Sequence, residues 1–110
     1  TMVEASGVGA RVSLGSVPLL EGVQALLDQD IVPGGTRRNL TSADHEVSWS
    51  ADVHEKARLL LCDAQTSGGL LMCVSPDAVD ALLLDLEGRS PVAAVIGEVV
   101  AGTAGRISVE

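Results

Sequence analysis

The stretch DAQTSGGLLMCV, residues 63–74, decides how this chain can fold. Two hydroxyl side chains and two glycines separate an apolar helical pattern, which ends before residue 63, from a run of five apolar residues at 70–74. A short continuous apolar run bounded by turn residues is typical of a strand covered on both faces. The sequence therefore predicts a helix, a tight glycine-rich loop and a buried strand in this part of the chain.

The segment after the apolar run begins a helix. Ser75 supplies a cap, Pro76 suits the first helical position, and Asp77 places an acid in the first turn. Gly88 marks its end. The predicted buried side consists of residues at helical spacing: Ala78, Val79, Leu82, Leu83 and Leu86.

Another helix precedes residue 63. Asp52 is its predicted N-cap, and Glu55, three residues later, completes a capping box. Its predicted buried side is again apolar and helically spaced: Val53, Ala57, Leu60 and Leu61.

The amino-terminal third predicts a helix end, a strand and a longer helix. Residues 1–7 read as the last turns of a helix stopped by glycine, which suggests a fragment whose upstream part is missing. Residues 10–14 alternate between apolar and polar side chains, as a half-buried strand does. Pro18 begins an amphipathic helix that runs to Leu27, and Pro33 ends the pattern.

The carboxyl-terminal part predicts two strands. Residues 92–100 form a strand interrupted at Gly97, residues 101–105 turn the chain, and residues 106–109 return as a hairpin partner. Helices alternate with strands before this hairpin, so the fold class is α+β, with a mixed β-sheet flanked by helices. The length of 110 residues fits a single domain, residues 1–110.

Composition excludes several classes of function. The net charge of −8 argues against a nucleic-acid partner and against an anionic membrane surface. No apolar stretch approaches the roughly 20 residues that span a bilayer. Cys62 and Cys73 form no CxxC pair and lie in apolar surroundings, so we expect buried free thiols in a reducing, cytoplasmic compartment.

Two segments stand out as candidate ligand sites. The backbone and hydroxyl groups of Thr66, Ser67, Gly68 and Gly69 could form an anion-binding nest; the alternative is a tight connection with nothing bound. Residues 32–39 predict a loop around a Pro-Gly turn, followed by a polar, irregular stretch at residues 40–50. Arg37 and Arg38 in that loop could clamp a phosphate, or could be solvated charges that offset nearby acids.

Other chemistry is not indicated. Residues 6–10 resemble a dinucleotide fingerprint, but they follow a helix and precede a strand, the reverse of the required order. His45 and His54 lack a carboxylate pattern that would complete a metal site, and we expect both at the surface. Nothing in the chain suggests a nucleophile or a general base.

The two segments also carry a resemblance. VPGGTRRN at 32–39 and DAQTSGGLL at 63–71 closely resemble two signature segments of selenophosphate synthetases, in the same order and at the same separation. The opening at 2–7 and the ending at 95–99 look like the same family. One departure is Ala64, where the family usually has proline, a difference that affects loop stiffness rather than chemistry.

The resemblance implies an activity and an architecture. The family uses ATP, selenide and water to make selenophosphate, AMP and phosphate, with Mg²⁺. Its fold belongs with the aminoimidazole ribonucleotide synthetase group, in which an amino-terminal ATP-binding domain pairs into a homodimer and an α+β carboxy-terminal domain closes the active-site cleft. Residues 1–110 would then be the carboxy-terminal domain of a larger two-domain enzyme, inactive alone and with no cofactor of its own.

The resemblance also assigns residues. Thr66, Ser67, Gly68 and Gly69 would face the cleft near the phosphates. Arg37 and Arg38 would either contact phosphate or hold the domain interface. The family's reactive Cys or selenocysteine, its Lys and its metal-binding aspartates lie outside the matched segments, so no catalytic or metal-binding residue is assigned here.

Three alternatives stay open from the sequence. One is another ATP-dependent enzyme of the same fold group, such as a purine-synthesis or hydrogenase-maturation enzyme, which the Thr-Ser-Gly-Gly loop disfavours. The second is a stand-alone regulatory module that binds a small ligand. The third is an assembly domain, which the scarcity of aromatic anchors makes less attractive.

Overall fold

The computed structural model describes residues 1–65 and 68–110, which form an α+β fold around a four-stranded mixed sheet. This confirms the predicted fold class. The helices are α1 (Met2–Ala5), α2 (Val23–Asp28), α3 (Gly34–Ala43), α4 (Glu55–Leu61) and α5 (Val79–Leu86). The strands are β1 (Gly9–Val12), β2 (Val47–Trp49), β3 (Gly97–Val100) and β4 (Ile107–Val109).

The sheet has the strand order β2-β4-β1-β3. β1 pairs parallel with β4, where Val12 lies opposite Val109, and antiparallel with β3, where Val12 lies opposite Gly97. β4 also pairs parallel with β2. The predicted hairpin of the last two strands is wrong, because β3 and β4 lie on opposite sides of β1. In its inner position β4 gains two parallel neighbours and buries Val109.

Most of the packing lies in residues 1–65 and 97–110, which we call the packed region. Its buried apolar side chains come from helices, strands and one turn: Val3, Leu27, Val53, Leu59 and Val109. Burying one such side chain stabilises a fold by roughly 1.5–3 kcal/mol. Arg58 adds a polar support, since its Nε donates to the Val53 carbonyl at 2.9 Å and its guanidinium lies 5.5 Å from the centre of the Trp49 ring.

Residues 68–96, which we call the arm, contain no buried residue. The predicted buried strand at 70–74 is wrong: the segment joins no strand of the described sheet, and Leu70 is 88% exposed. Cys73 is therefore exposed rather than buried, while Cys62 is half-buried. The physical reason is that no described element covers either face of this segment.

A helix was predicted after Ser75 and is present, but it begins at Val79 rather than at Pro76, Ser75 makes no capping hydrogen bond, and the helix is not buried as predicted. A 3-10 turn at Pro76–Ala78 leads into the helix, with proline at its beginning. The main contacts of α5 are with that turn. Its apolar side is therefore at most half-buried: Val79, Leu82, Leu83 and Leu86 are intermediate in exposure, and Ala78 is exposed.

Two helix starts differ from the prediction. α2 begins at Val23 rather than at Pro18, because Gly22 takes a left-handed conformation (φ 82°) just before it. α4 begins at Glu55 with His54 at its N-cap and no capping hydrogen bond from a side chain, so the predicted capping box at Asp52 is wrong. Among the described residues, no helix has the length and apolar content needed to cross a membrane.

Candidate functional site

The first signature segment is helical rather than the predicted loop. α3 begins directly after Pro33 and continues to Ala43, and β2 follows within the stretch expected to be irregular. Two glycines at its start and only one large apolar residue, Leu40, give this segment a weak intrinsic helix propensity. Its main tertiary contacts are with α4, so packing against that helix outweighs propensity.

Thr36 connects this helix to the second signature segment. The side chain is only 2% exposed, although threonine is polar. Its Oγ1 donates to Asp63 Oδ1 at 2.8 Å and accepts from the Ala64 backbone N–H at 3.2 Å. Both hydrogen-bonding capacities of the buried hydroxyl are thus used, as burial of a polar group requires.

Two further contacts lie beside this connection. Asn39, three residues after Thr36 on the same side of α3, donates from Nδ2 to the Cys62 carbonyl at 3.1 Å. Gly35 lies so close that an added Cβ would be 3.0 Å from the Ala64 Cβ. The structure therefore brings the two signature segments together, over one turn of α3 and residues 62–64.

The two arginines of the segment point to different partners. Arg37 Nη2 forms an ion pair with Asp30 Oδ1 at 2.9 Å, between side chains that are both largely exposed. Such a surface pair contributes about 0–1 kcal/mol. The Arg38 guanidinium instead lies beside the paired glycines, 3.6 Å from an added Cβ at Gly34. Of the two, Arg38 is therefore nearer to the contact between Gly35 and Ala64.

The glycine-rich loop is described only in part. Thr66 and Ser67, which carry the predicted hydroxyl donors, lie outside the described residues. Gly68 and Gly69 are exposed, and a Cβ added at Gly69 would meet nothing within 4 Å. At Gly68 an added Cβ would come 3.2 Å from Gln65 Oε1. Phosphate binding by this loop stays a prediction.

Cys62 lies at the end of α4, beside this contact. Burial, and secondarily the negative charge of Asp44, raises the pKa of the Cys62 thiol above its ordinary value of 9.0. The thiol is therefore protonated near neutral pH, and a thiol is a far weaker nucleophile than a thiolate.

No metal centre is formed by the described side chains. Across residues 1–65 and 68–110, no group of three or more His, Cys, Asp or Glu residues is arranged to hold an ion. His45 and His54 are both exposed, as predicted.

Thr36 and Asn39 are the residues that sequence reasoning missed. Their spacing of three places them on one side of a helix, and this signal could have identified them. The spacing has this meaning only in a helix, and Pro33 followed by Gly34 predicts a turn instead. Proline at a helix boundary is equally common, since it lacks the N–H that the first helical turn leaves unpaired.

The fold and the paired segments correspond to a known class of domain. All residues, 1–110, match the family described as AIR synthase related protein, C-terminal domain, and the chain belongs to that family. Relatives named selenide, water dikinase match it as well. The relative from Salmonella typhi is 39% identical over 109 residues, covering 99% of this chain. Those from Escherichia coli O157:H7 and Shigella boydii serotype 4 are 38% identical over the same share.

The match covers only a part of those relatives. The chain spans 30% of the length of each of these three proteins, in their carboxy-terminal part.

Proposed function

We propose that this chain acts as the carboxy-terminal domain of a selenide, water dikinase. The observation that carries the proposal is the 39% identity over 99% of the chain to a relative of that name. In this role the domain closes the active-site cleft of a longer, homodimeric protein, which converts ATP, selenide and water into selenophosphate, AMP and phosphate. The chain alone does not turn over ATP.

In this proposal the glycine-rich loop meets the phosphates. Gly68 and Gly69 are exposed, a Cβ added at Gly69 would meet nothing within 4 Å, and consecutive backbone N–H groups can bind anionic oxygens. Thr66 and Ser67 would add hydroxyl donors. Arg38, beside the glycine pair of α3, is a better candidate than Arg37 for a phosphate contact, because Arg37 is paired with Asp30. Magnesium would be held by the rest of the longer protein, because the described residues offer no ligand cluster.

A chimera tests this function directly. This chain would replace the matching carboxy-terminal residues of the Escherichia coli relative, and selenide-dependent AMP formation would be measured. We expect turnover by the chimera and none by the isolated chain. A matched chimera with Gly68→Val should be folded but much slower, since a branched side chain would displace the Gln65 side chain, whose Oε1 is 3.2 Å from an added Cβ, and would cover the loop. A folded chimera that binds ATP and makes no AMP would contradict the proposed function. Unchanged turnover in the Gly68→Val chimera would contradict the phosphate contact proposed for the loop.

The arm is the proposed surface for the rest of the longer protein. Its exposed apolar side chains include Leu70 at 88%, Leu71 at 66% and Leu84 at 71% exposure, and apolar surface of this kind marks interaction sites. The relatives supply the candidate partner, since 70% of their length lies outside the match, and in this proposal that part includes the ATP-binding domain. A second copy fits less well, because each chain carries a net charge of −8.

Association can be measured between this chain and the remaining part of the protein, expressed separately. We expect Leu70→Asp to weaken it strongly, because a carboxylate would be buried without a partner. Leu20→Asp is the control, since Leu20 is 73% exposed but lies in the packed region. Equal effects of the two variants on association would contradict the proposal that the arm binds the rest of the protein. If the chain forms a homodimer that Leu70→Asp dissociates, a second copy of the chain covers the arm instead.

A further inference from the structure

The contact between α3 and residues 62–64 suggests a role that the resemblance does not assign. Among the residues that the structure describes, Thr36 is the only buried polar or charged one. Its hydroxyl joins a helix to the first two residues of the glycine-rich segment, 27 and 28 residues further along the chain. A buried hydroxyl costs free energy unless it is fully hydrogen-bonded, so its placement here requires both partners.

The partners of Thr36 occupy the point where α4 has ended and the loop begins. Asp63 is exposed apart from this contact, and its other oxygen, Oδ2, accepts from Gln65 Nε2 at 3.4 Å. Ala64 has no other described hydrogen bond from its N–H. The Asp63 backbone N–H also bonds to the Leu60 carbonyl of α4 at 3.2 Å. The Thr36 hydroxyl is what joins residues 63 and 64 to α3 by hydrogen bonds.

Asn39 and Gly35 support the same contact from each side. Asn39 donates a hydrogen bond to the carbonyl of Cys62, one residue before Asp63. Gly35 allows the helix to approach Ala64 to a distance that a larger residue would prevent. α3 therefore contacts three successive residues before the glycine-rich loop, 62 and 64 through their backbone and 63 through its side chain.

We propose that Thr36 is a positioning residue, which fixes residues 63–64, just before the glycine-rich loop, by holding Asp63 and Ala64 against α3. This inference deepens the proposed function and rests on it for its catalytic consequence. Thr36 itself touches no substrate. Its effect arises because a misplacement of about 1 Å at a reacting group can cost about 100-fold in rate.

Two substitutions at Thr36 separate positioning from packing. Thr36→Val keeps the volume and removes the hydroxyl, whereas Thr36→Ser keeps the hydroxyl and removes the methyl group. If Thr36 matters mainly for packing, the serine variant is the worse of the two. If it positions the loop, the valine variant is worse and serine restores the wild-type behaviour. Thr41→Val is the matched control, since that hydroxyl donates to the Arg37 carbonyl within α3.

The first readout is hydrogen exchange of the Ala64 amide in the native protein that carries this chain. We expect exchange to be about tenfold faster or more in Thr36→Val, and near the wild-type rate in Thr36→Ser and Thr41→Val. Unchanged exchange in Thr36→Val, or faster exchange in Thr36→Ser than in Thr36→Val, would overturn the proposal. If Thr36→Val does not fold, Asp63→Ala is the alternative, since it removes the hydrogen bond that the Asp63 carboxylate accepts from Thr36. This variant must also speed exchange of the Ala64 amide; unchanged exchange would overturn the proposal.

The second readout is kcat/KM for ATP in the selenide-dependent reaction. We expect a roughly 10- to 100-fold loss in Thr36→Val and recovery in Thr36→Ser. An unchanged kcat/KM in Thr36→Val would overturn the positioning role. A wild-type protein without selenide-dependent turnover would instead contradict the proposed function, while the exchange measurement would still decide whether Thr36 holds residues 63–64.

Discussion

The packed region and the arm both carry apolar patterns, but only the packed region buries them. In the packed region, Leu59 on a seven-residue helix is 4% exposed, because α2 and α3 pack against that helix. In the arm, Leu84 on an eight-residue helix is 71% exposed, because the main contacts of α5 are with the turn before it. The comparison shows that periodicity defines an apolar face, whereas burial depends on a second surface.

The largest expected effect tests this difference with one substitution in each helix. Leu59→Ala should reduce the free energy of unfolding by about 2–5 kcal/mol, since it removes a buried side chain and leaves a cavity. Leu84→Ala should change it by no more than about 0.5 kcal/mol, as expected for an exposed position. Urea denaturation measures both. A loss above 1 kcal/mol for Leu84→Ala would show that α5 is covered in the isolated chain, and the comparison would no longer hold.

A second prediction concerns the place where the arm joins the sheet. Gly97 begins β3, and a Cβ there would collide with the carbonyl oxygen of Arg11 in β1. Gly97→Ala should therefore destabilise the chain by about 1–3 kcal/mol, as overpacking does. Gly102→Ala is the control, because a Cβ at that turn residue would meet nothing within 4 Å. Similar melting temperatures for the two variants would contradict the β1–β3 pairing that anchors the end of the arm.

A third prediction compares the two thiols. Cys73, in the arm, is exposed, whereas Cys62, in the packed region, is half-buried and has a raised pKa. A thiol reagent at pH 8 should therefore modify Cys73 faster, by roughly tenfold, because access and thiolate fraction control the rate. Mass spectrometry of labelled peptides gives both rates, and Cys73→Ser should abolish the fast phase. Slow labelling of Cys73 would support the buried strand that the sequence predicted.

Features that depend on a few adjacent residues could be predicted from the sequence. The helix at residues 2–5, the alternating strand that became β1, and the presence of a helix after Ser75-Pro76 follow from local periodicity and turn residues. The mixed sheet followed from the order of helices and strands. For the helices and for β1 the deciding residues are neighbours along the chain.

Features that depend on distant partners could not be predicted. The apolar run at 70–74 indicated burial, but no sequence pattern identifies the layer that would cover it. Gly34–Ala43 has weak helix propensity, and its helical state depends on contacts with α4 and with Asp63. The position of β4 between β1 and β2, rather than beside β3, is likewise a matter of long-range pairing.

The same division applies to the candidate site. The two signature segments could be identified by composition, but the contact between them required the structure. The spacing of Thr36 and Asn39 places them on one side of a helix only if residues 34–43 are helical, and the weak helix propensity of this segment does not predict that. The burial of Thr36, and its bonds to residues 63 and 64, identify it as a junction.

The smallest expected effect tests whether the arm keeps its local structure without a covering surface. The Ser75 hydroxyl donates to a carboxylate oxygen of Asp77 at the start of the 3-10 turn. This hydrogen bond, followed by one from the backbone N–H of Asp77, lowers the pKa of the Asp77 carboxyl below its ordinary value of 3.8. The carboxylate form is therefore favoured in the folded state. Its contribution to stability is present above pH 3.8 and is lost as the pH falls through the lower, folded-state pKa.

Ser75→Ala removes the larger of these two causes, so the pKa of Asp77 should rise toward 3.8 while global stability stays nearly unchanged at neutral pH. An NMR titration of the Asp77 carboxyl carbon measures the shift. Ser90→Ala is the control within the arm, since the Ser90 hydroxyl donates to the Val92 carbonyl and not to an acid. If the pKa of Asp77 does not move in Ser75→Ala, the hydrogen bond between Ser75 and Asp77 does not hold the turn before α5. The arm would then depend on its covering partner for its secondary structure as well. It would differ from the packed region both in burial and in the stability of its helix.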